Sequence, residues 1–170
     1  MHVLACATEG HLVSVVERQD MTELHPVTYG QSSVPDDLQH SLSSKAEFEV
    51  VVACAKTAIE DAGFWVLHEI NPQALLAKGG YAINPTRQLL FFHPDYMVRV
   101  LSAVPAALLE APLKFAIMGR GDEVVLRWLD PERAFGRYED PHLAQLGKEL
   151  AAKCEAIAAE ILHRASKLIG

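Results

Sequence analysis

Cysteine is scarce in this 170-residue chain, with only Cys6, Cys54 and Cys154 and no Cys-x-x-Cys spacing. An odd count without that spacing argues against a disulfide scaffold, excludes covalent c-type haem attachment and suits a reducing cytosol. Cys54 and Cys154 sit in apolar helical patterns, where a lone cysteine is ordinarily a small core residue. Positive charge is also in short supply: 15 Lys and Arg stand against 22 Asp and Glu, a net charge of -7. That balance removes the sequence-independent attraction to nucleic acid and to an anionic membrane surface. No window approaches the roughly 18 consecutive apolar residues needed to span a bilayer. The first residues lack a basic segment, and Glu9, Gly10 and His11 interrupt any apolar run, so no cleaved signal peptide is expected and the location expected is cytoplasmic. Gly-x-Ser-x-Gly elbows, P-loops, internal repeats and His/Cys clusters of zinc spacing are all missing. Gly119-Arg120-Gly121-Asp122 has the glycines of a phosphate loop, but it sits between two β-type runs and reads as a hairpin turn.

What is present is apolar. Half of the residues are hydrophobic, 22% are charged and mean hydropathy is +0.11, which excludes a disordered chain. The size suits one domain of 43–170, with 1–42 as an N-terminal strand or hairpin extension. In that extension, residues 11–17 and 26–31 read as strands and 30–45 as a loop.

Ser44-x-x-Glu47 reads as a capping box opening the first helix. Phe48, Val51, Val52, Ala55, Ile59 and Ala62 form its apolar face, and Gly63 stops it. Residues 64–70 then read as a strand. Asn71-Pro72 starts a short helix that Gly79-Gly80 ends. A strand over 87–92 leads to a helix over 95–104, cut by Pro105, with another turn over 106–110. Residues 114–118 and 123–129 form a hairpin. Asp140-Pro141 opens the longest helix, about 40 Å at 1.5 Å per residue. Its stripe is Leu143, Leu146, Leu150, Cys154, Ile157, Ile161 and Leu168.

Strands and helices do not alternate as βαβ units, so the pattern predicts an α+β domain with an antiparallel sheet. Both parities of 64–70 and 87–92 are apolar. A sheet packed on one side should alternate, so the second face is expected to be covered by the extension, a ligand or a second subunit.

Residues 58–80, AIEDAGFWVLHEINPQALLAKGG, resemble the family called domain of unknown function 302: a helix ending in Gly-Phe, a strand ending in Ile-Asn, then a short Leu-containing helix. The resemblance continues through residues 87–94, RQLLFFHP, and from Pro112 to Leu129-Asp130-Pro131, covering roughly 45–165. His93 departs from the residue common at its place, and the first 40 residues exceed the usual family start. The resemblance implies a curved antiparallel sheet gripping a long C-terminal helix, of TATA-binding-protein-like or helix-grip type. It also implies a homodimer. It implies no activity.

Strand parity gives a candidate site. His68 shares a face with Phe64 and Val66, while Arg87 and His93 share one with Leu89 and Phe91, so neighbouring strands would turn the three toward one space. Lys114 and Arg127 add positive charge on the sheet for an anionic ligand. The plainer role of Arg87, Lys114 and Arg127 is pairing with carboxylates such as Glu69, Glu110 and Asp130, or facing solvent. His93 precedes Pro94, where a helix cap is the plainer role. The sharper one places its imidazole in an aromatic pocket of Phe91, Phe92, Tyr96 and Met97 as the axial ligand of a non-covalent haem. Three functions follow. The first is a homodimer binding a small apolar or amphipathic ligand between sheet and helix. The second is an interaction protein whose spare sheet face is only a dimer interface. The third is an enzyme on a small anionic substrate, with His68 or His93 as base and Arg87 or Lys114 holding the anion.

Overall fold

Five of the strands join in one antiparallel sheet, and the two longest helices pack on one of its faces in the computed structural model, which describes residues 23–30 and 38–168. In chain order the elements are β1 (His25–Pro26), β2 (Gln39–Ser44), α1 (Phe48–Asp61), β3 (Trp65–Ile70), α2 (Pro72–Lys78), β4 (Tyr81–Ala82) and β5 (Thr86–Phe92). These are followed by α3 (Pro94–Ala103), a 3-10 turn at Pro105–Glu110, β6 (Leu113–Arg120), β7 (Glu123–Leu129), α4 (Pro131–Gly136) and α5 (Pro141–Lys167). The sheet order is β2-β7-β6-β5-β3, and it stays open, with β2 and β3 as its edges. This is the expected α+β arrangement with a long C-terminal helix. No helix among the described residues is long and apolar enough to cross a membrane.

The inner face follows strand alternation. Leu89, Phe91, Phe115, Ile117 and Leu126 are fully buried on it. Val51, Ala55 and Ile59 of α1 meet them there, together with Leu143, Leu146 and Ile161 of α5, in one continuous core. Apolar residues three and four apart put each helix's stripe on that core. Leu168, expected on the α5 stripe, lies past the last turn and is exposed. Burial pushes the Cys154 thiol up to about 12, which fits a core residue rather than a reactive one.

Three local expectations change. The capping box does not form: Ser44 is paired to Val124 in β2, so it lies too early to cap a helix that starts at Phe48. Its hydroxyl accepts instead from the Ala46 N–H at 3.1 Å. Part of the expected loop over 30–45 is the edge strand β2, held along its length by β7. The expected strand over 26–31 shrinks to the two-residue pairing of β1 with β4, and that over 11–17 lies outside the described residues. The cap at Asn71, by contrast, stands, its Oδ1 accepting from the Ala74 N–H at 3.0 Å. Gly63 adopts φ +86 after α1, a left-handed conformation that only glycine takes cheaply.

Candidate functional site

β5 carries Arg87 on the inner face at its N-terminal end, and the chain ties it down there. Its Nε donates to Glu69 Oε1 at 3.1 Å, one terminal nitrogen to Glu49 Oε1 at 3.0 Å and the other to the Thr86 carbonyl at 3.0 Å. The guanidinium also lies 5.4 Å from the centre of the Phe48 ring. Lys56 of α1 completes the knot by pairing with Glu69. Arg87 is therefore a clasp between sheet and helix, the carboxylate-paired role. The Lys56 hydrogen bond first, and the charges of Lys56 and Arg87 next, hold the Glu69 carboxyl below its usual 4.5 against the opposing effect of burial. A carboxyl whose folded pKa is lowered stabilises the fold above its unfolded value and loses that contribution as pH falls through the folded value. The melting temperature of the native chain should thus fall more steeply than that of Glu69→Gln as pH drops below 4.5. Parallel curves for the two proteins would show the knot to be energetically silent.

His93 leads a second cluster. It is the N-cap of α3, its Nδ1 accepting from the Asp95 N–H at 3.2 Å. That bond uses the Nδ1 lone pair, so the neutral ring carries its proton on Nε2. Phe64, Phe91, Phe92, Tyr96, Met97 and Val100 surround it in an aromatic cleft. The Phe64 ring meets His93 edge-on at 5.4 Å and Tyr96 lies 5.0 Å from it. The expected aromatic pocket is thus present, but it holds only about 30 Å³, room for one water. A porphyrin does not fit that space, and axial ligation through Nε2 would require the tautomer that breaks the cap. These residues do not fit haem as arranged. Glu110, a carboxylate expected to pair with a sheet cation, instead reaches the cleft, where it accepts from the Tyr138 hydroxyl at 2.9 Å and from Arg137 at 3.1 Å.

The third location is the outer face of the sheet. β3 carries a bulge between Val66 and His68: Val66 pairs with Phe91, but His68 pairs with Leu90. The extra residue, Leu67, flips all that follows, so His68 leaves the face of Arg87 and His93 and joins the outer one. The shared space expected for His68, Arg87 and His93 therefore does not exist, and with it goes the convergence an enzyme built on them would need. Lys114 stands opposite Leu90 on the other side, and Arg127 stands opposite Ala116 and Ser41. The register makes Lys114 and Arg127 diagonal neighbours, about 7–8 Å apart at the backbone. Around them on the same face lie Leu90, Phe92, Ala116, Met118, Val125 and Leu129, with Trp65 paired to Phe92 at 6.0 Å between ring centres. Trp65 is 59% exposed and Leu129 57%. Among the described residues neither Lys114 nor Arg127 has an ion-pair partner. The carboxylate on the same face of β7, Glu123, is four residues from Arg127, about 13 Å along the strand.

The nine residues singled out in the sequence thus divide three ways. Phe91, Phe92, His93, Tyr96 and Met97 line the aromatic cleft, Arg87 is a structural clasp, and His68, Lys114 and Arg127 share the outer face. Among the described residues no group of His, Cys, Asp and Glu could hold a metal ion.

The family model described as "Domain of unknown function DUF302" matches residues 40–161. Among solved structures, the crystal structure of an uncharacterized conserved protein DUF302 from Bacillus stearothermophilus is similar, with a TM-score of 0.67 at 17% identity, over 75% of this chain and 98% of that one. At that identity the likeness is one of fold. No curated protein matches.

Proposed function

The chain belongs to the DUF302 family, and from that premise we propose that it is a binding protein for an amphipathic anion, which it takes on the outer face of its sheet. The observation that carries this reading is the pair Lys114 and Arg127, two cations without an ion-pair partner among the described residues, which emerge as diagonal neighbours from a face that mixes Leu90, Ala116, Met118 and Leu129 with the uncharged polar Gln88 and Ser41. A cation among leucine, methionine and aromatic side chains attracts an anion more strongly than the same cation in open water. The surrounding Leu90, Met118, Val125 and Leu129 give the ligand's apolar body a place to shed its own hydration. His68 flanks the site from the other side of Leu90. The inner layer offers no comparable room, since its facing side chains are fully buried against one another.

A homodimer is the second reading, and exposed Trp65, Leu67 and Leu129 are what favour it. A two-fold contact through this face would bring Lys114 and Arg127 of each copy together, and burying like charges without anions is costly. Charge therefore ranks the anion ahead of the second copy as occupant.

Titration calorimetry with decanoate and with decanol tests the reading, alongside light scattering for size. Saturable decanoate binding is expected, at least about tenfold weaker for decanol and for the double variant Lys114→Met and Arg127→Met. No saturable binding, or equal binding by the double variant, would remove the anion site. A dimer that forms without added anion and survives in the double variant would put the second copy in its place.

A further inference from the structure

We infer that the ligand taken on the outer face is a planar aromatic anion rather than an alkyl-chain one, an inference that rests on the amphipathic-anion reading. The outer face is divided along β5. Its cations stand in the rows of Leu90 and Gln88, while the row of Phe92 is aromatic. In that row Trp65 and Phe92 form a tilted pair, the ring planes at 46°. More than half of Trp65 remains exposed beside it. Of the two tryptophans in the chain, Trp128 is buried in the core, in edge contact with Phe115. Trp65 is spent on the surface of an edge strand, where leaving a large ring in water is unfavourable unless something covers it.

Spacing connects the ring to the charge. Lys114 lies two strands over from Trp65 and one pleat repeat along, which puts their backbones about 12 Å apart. A ligand with its ring on Trp65 and its carboxylate or phosphate at Lys114 bridges that distance once both side chains lean inward. Arg127, one strand further, reaches the same anion from the far side. The bulge in β3 fits the same division, because it sits between the aromatic row and the His68 row. Were Leu67 a paired residue in regular alternation, His68 would face the helices. With the bulge, an imidazole that can donate or accept stands beside the ring platform on β3, across Leu90 from Lys114, where it flanks the ligand's body. An alkyl chain has neither a π-face for Trp65 nor a polar edge for His68. A planar aromatic body has both.

Four titrations decide it: 4-(1-pyrenyl)butyrate and decanoate, each into the unaltered chain and into the Trp65→Leu variant, which keeps an apolar side chain but removes the ring. Pyrenylbutyrate is expected to bind at least about tenfold tighter than decanoate, and Trp65→Leu to lower that affinity about tenfold while leaving decanoate within about twofold. Decanoate binding as tightly as pyrenylbutyrate, or a Trp65→Leu variant that loses both equally or neither, overturns the planar class while the anion site stands. Failure of both anions to bind the unaltered chain overturns the anion reading itself. Far-UV circular dichroism of Trp65→Leu guards the comparison, since an exposed edge position should leave the fold unchanged.

Discussion

Truncating Phe115 to alanine is expected to cost about 3–5 kcal/mol, a large share of the roughly 5–15 kcal/mol that holds a domain of this size together. Phe115 is fully buried on the inner face of β6, the middle strand of the sheet. Its ring centre lies 4.7 Å from that of Phe91 on β5 and 5.7 Å from that of Trp128 on β7. It therefore links three strands through ring contacts while sealing the layer beneath α1 and α5. Removing it forfeits the transfer of the ring from water, leaves a cavity the rigid sheet cannot close, and strips two aromatic contacts at once. Urea unfolding followed by tryptophan fluorescence measures the loss directly, and Phe115→Leu, which retains much of the volume, should lose markedly less. A Phe115→Ala chain that unfolds within about 1 kcal/mol of the native one would contradict the packing of this layer.

The same alternation that buries Phe115 explains how much of the fold was legible in sequence. Long amphipathic helices declare themselves, because apolar residues at three- and four-residue spacing have no other use. Hence α1 and α5 were readable to within a few residues, as were the caps at Asn71 and Asp140 that are built from local chemistry, whereas the short α4 capped by Asp130 was not. The strand β2 was not readable. QHSLSS has almost no apolar pattern, and it is a strand because β7 offers it a ladder of backbone partners. The site was legible in residue type but not in direction. Apolar residues on both parities of β3 and β5 do place Trp65, Leu90 and Phe92 on the face opposite the core. Which face each polar residue joins depends on the register, and a single inserted residue at Leu67 reverses it for His68. Nothing in the dipeptides around Leu67 marks a bulge, since bulges are set by what the neighbouring strand requires. His93 shows the converse case: its neighbours are those expected, but its own cap bond and the closeness of the rings leave too little room for a cofactor.

Gly147 is the position where a helix-favouring substitution should do harm. Glycine in the middle of a helix is normally a cost, and alanine there gains up to about 1 kcal/mol. At Gly147 in α5, however, an added Cβ would lie 2.9 Å from the Pro131 carbonyl oxygen, 3.0 Å from Glu132 Cα and 3.2 Å from Phe135 Cβ. The first two are backbone atoms of α4, which cannot swing aside as a flexible side chain would. α4 rests directly on α5 through this gap, so Gly147→Ala must push the two helices apart, an overpacking penalty of about 1–3 kcal/mol that outweighs the gain in propensity. The displacement would not stop at α4. Asp130, its cap, accepts from the Glu132 and Arg133 N–H groups, pairs with His40 at 3.0 Å, and donates its own N–H to the Leu38 carbonyl. Through those bonds α4 holds the end of β2, the strand that places Ser41 beside Arg127 on the outer face. Thermal unfolding of Gly147→Ala should show a lower melting temperature, with hydrogen exchange accelerated first in residues 38–44. A higher melting temperature, the ordinary result of glycine to alanine in a helix, would mean that α4 and α5 do not meet this closely. Unchanged exchange in β2 would separate the helix contact from the edge of the ligand face.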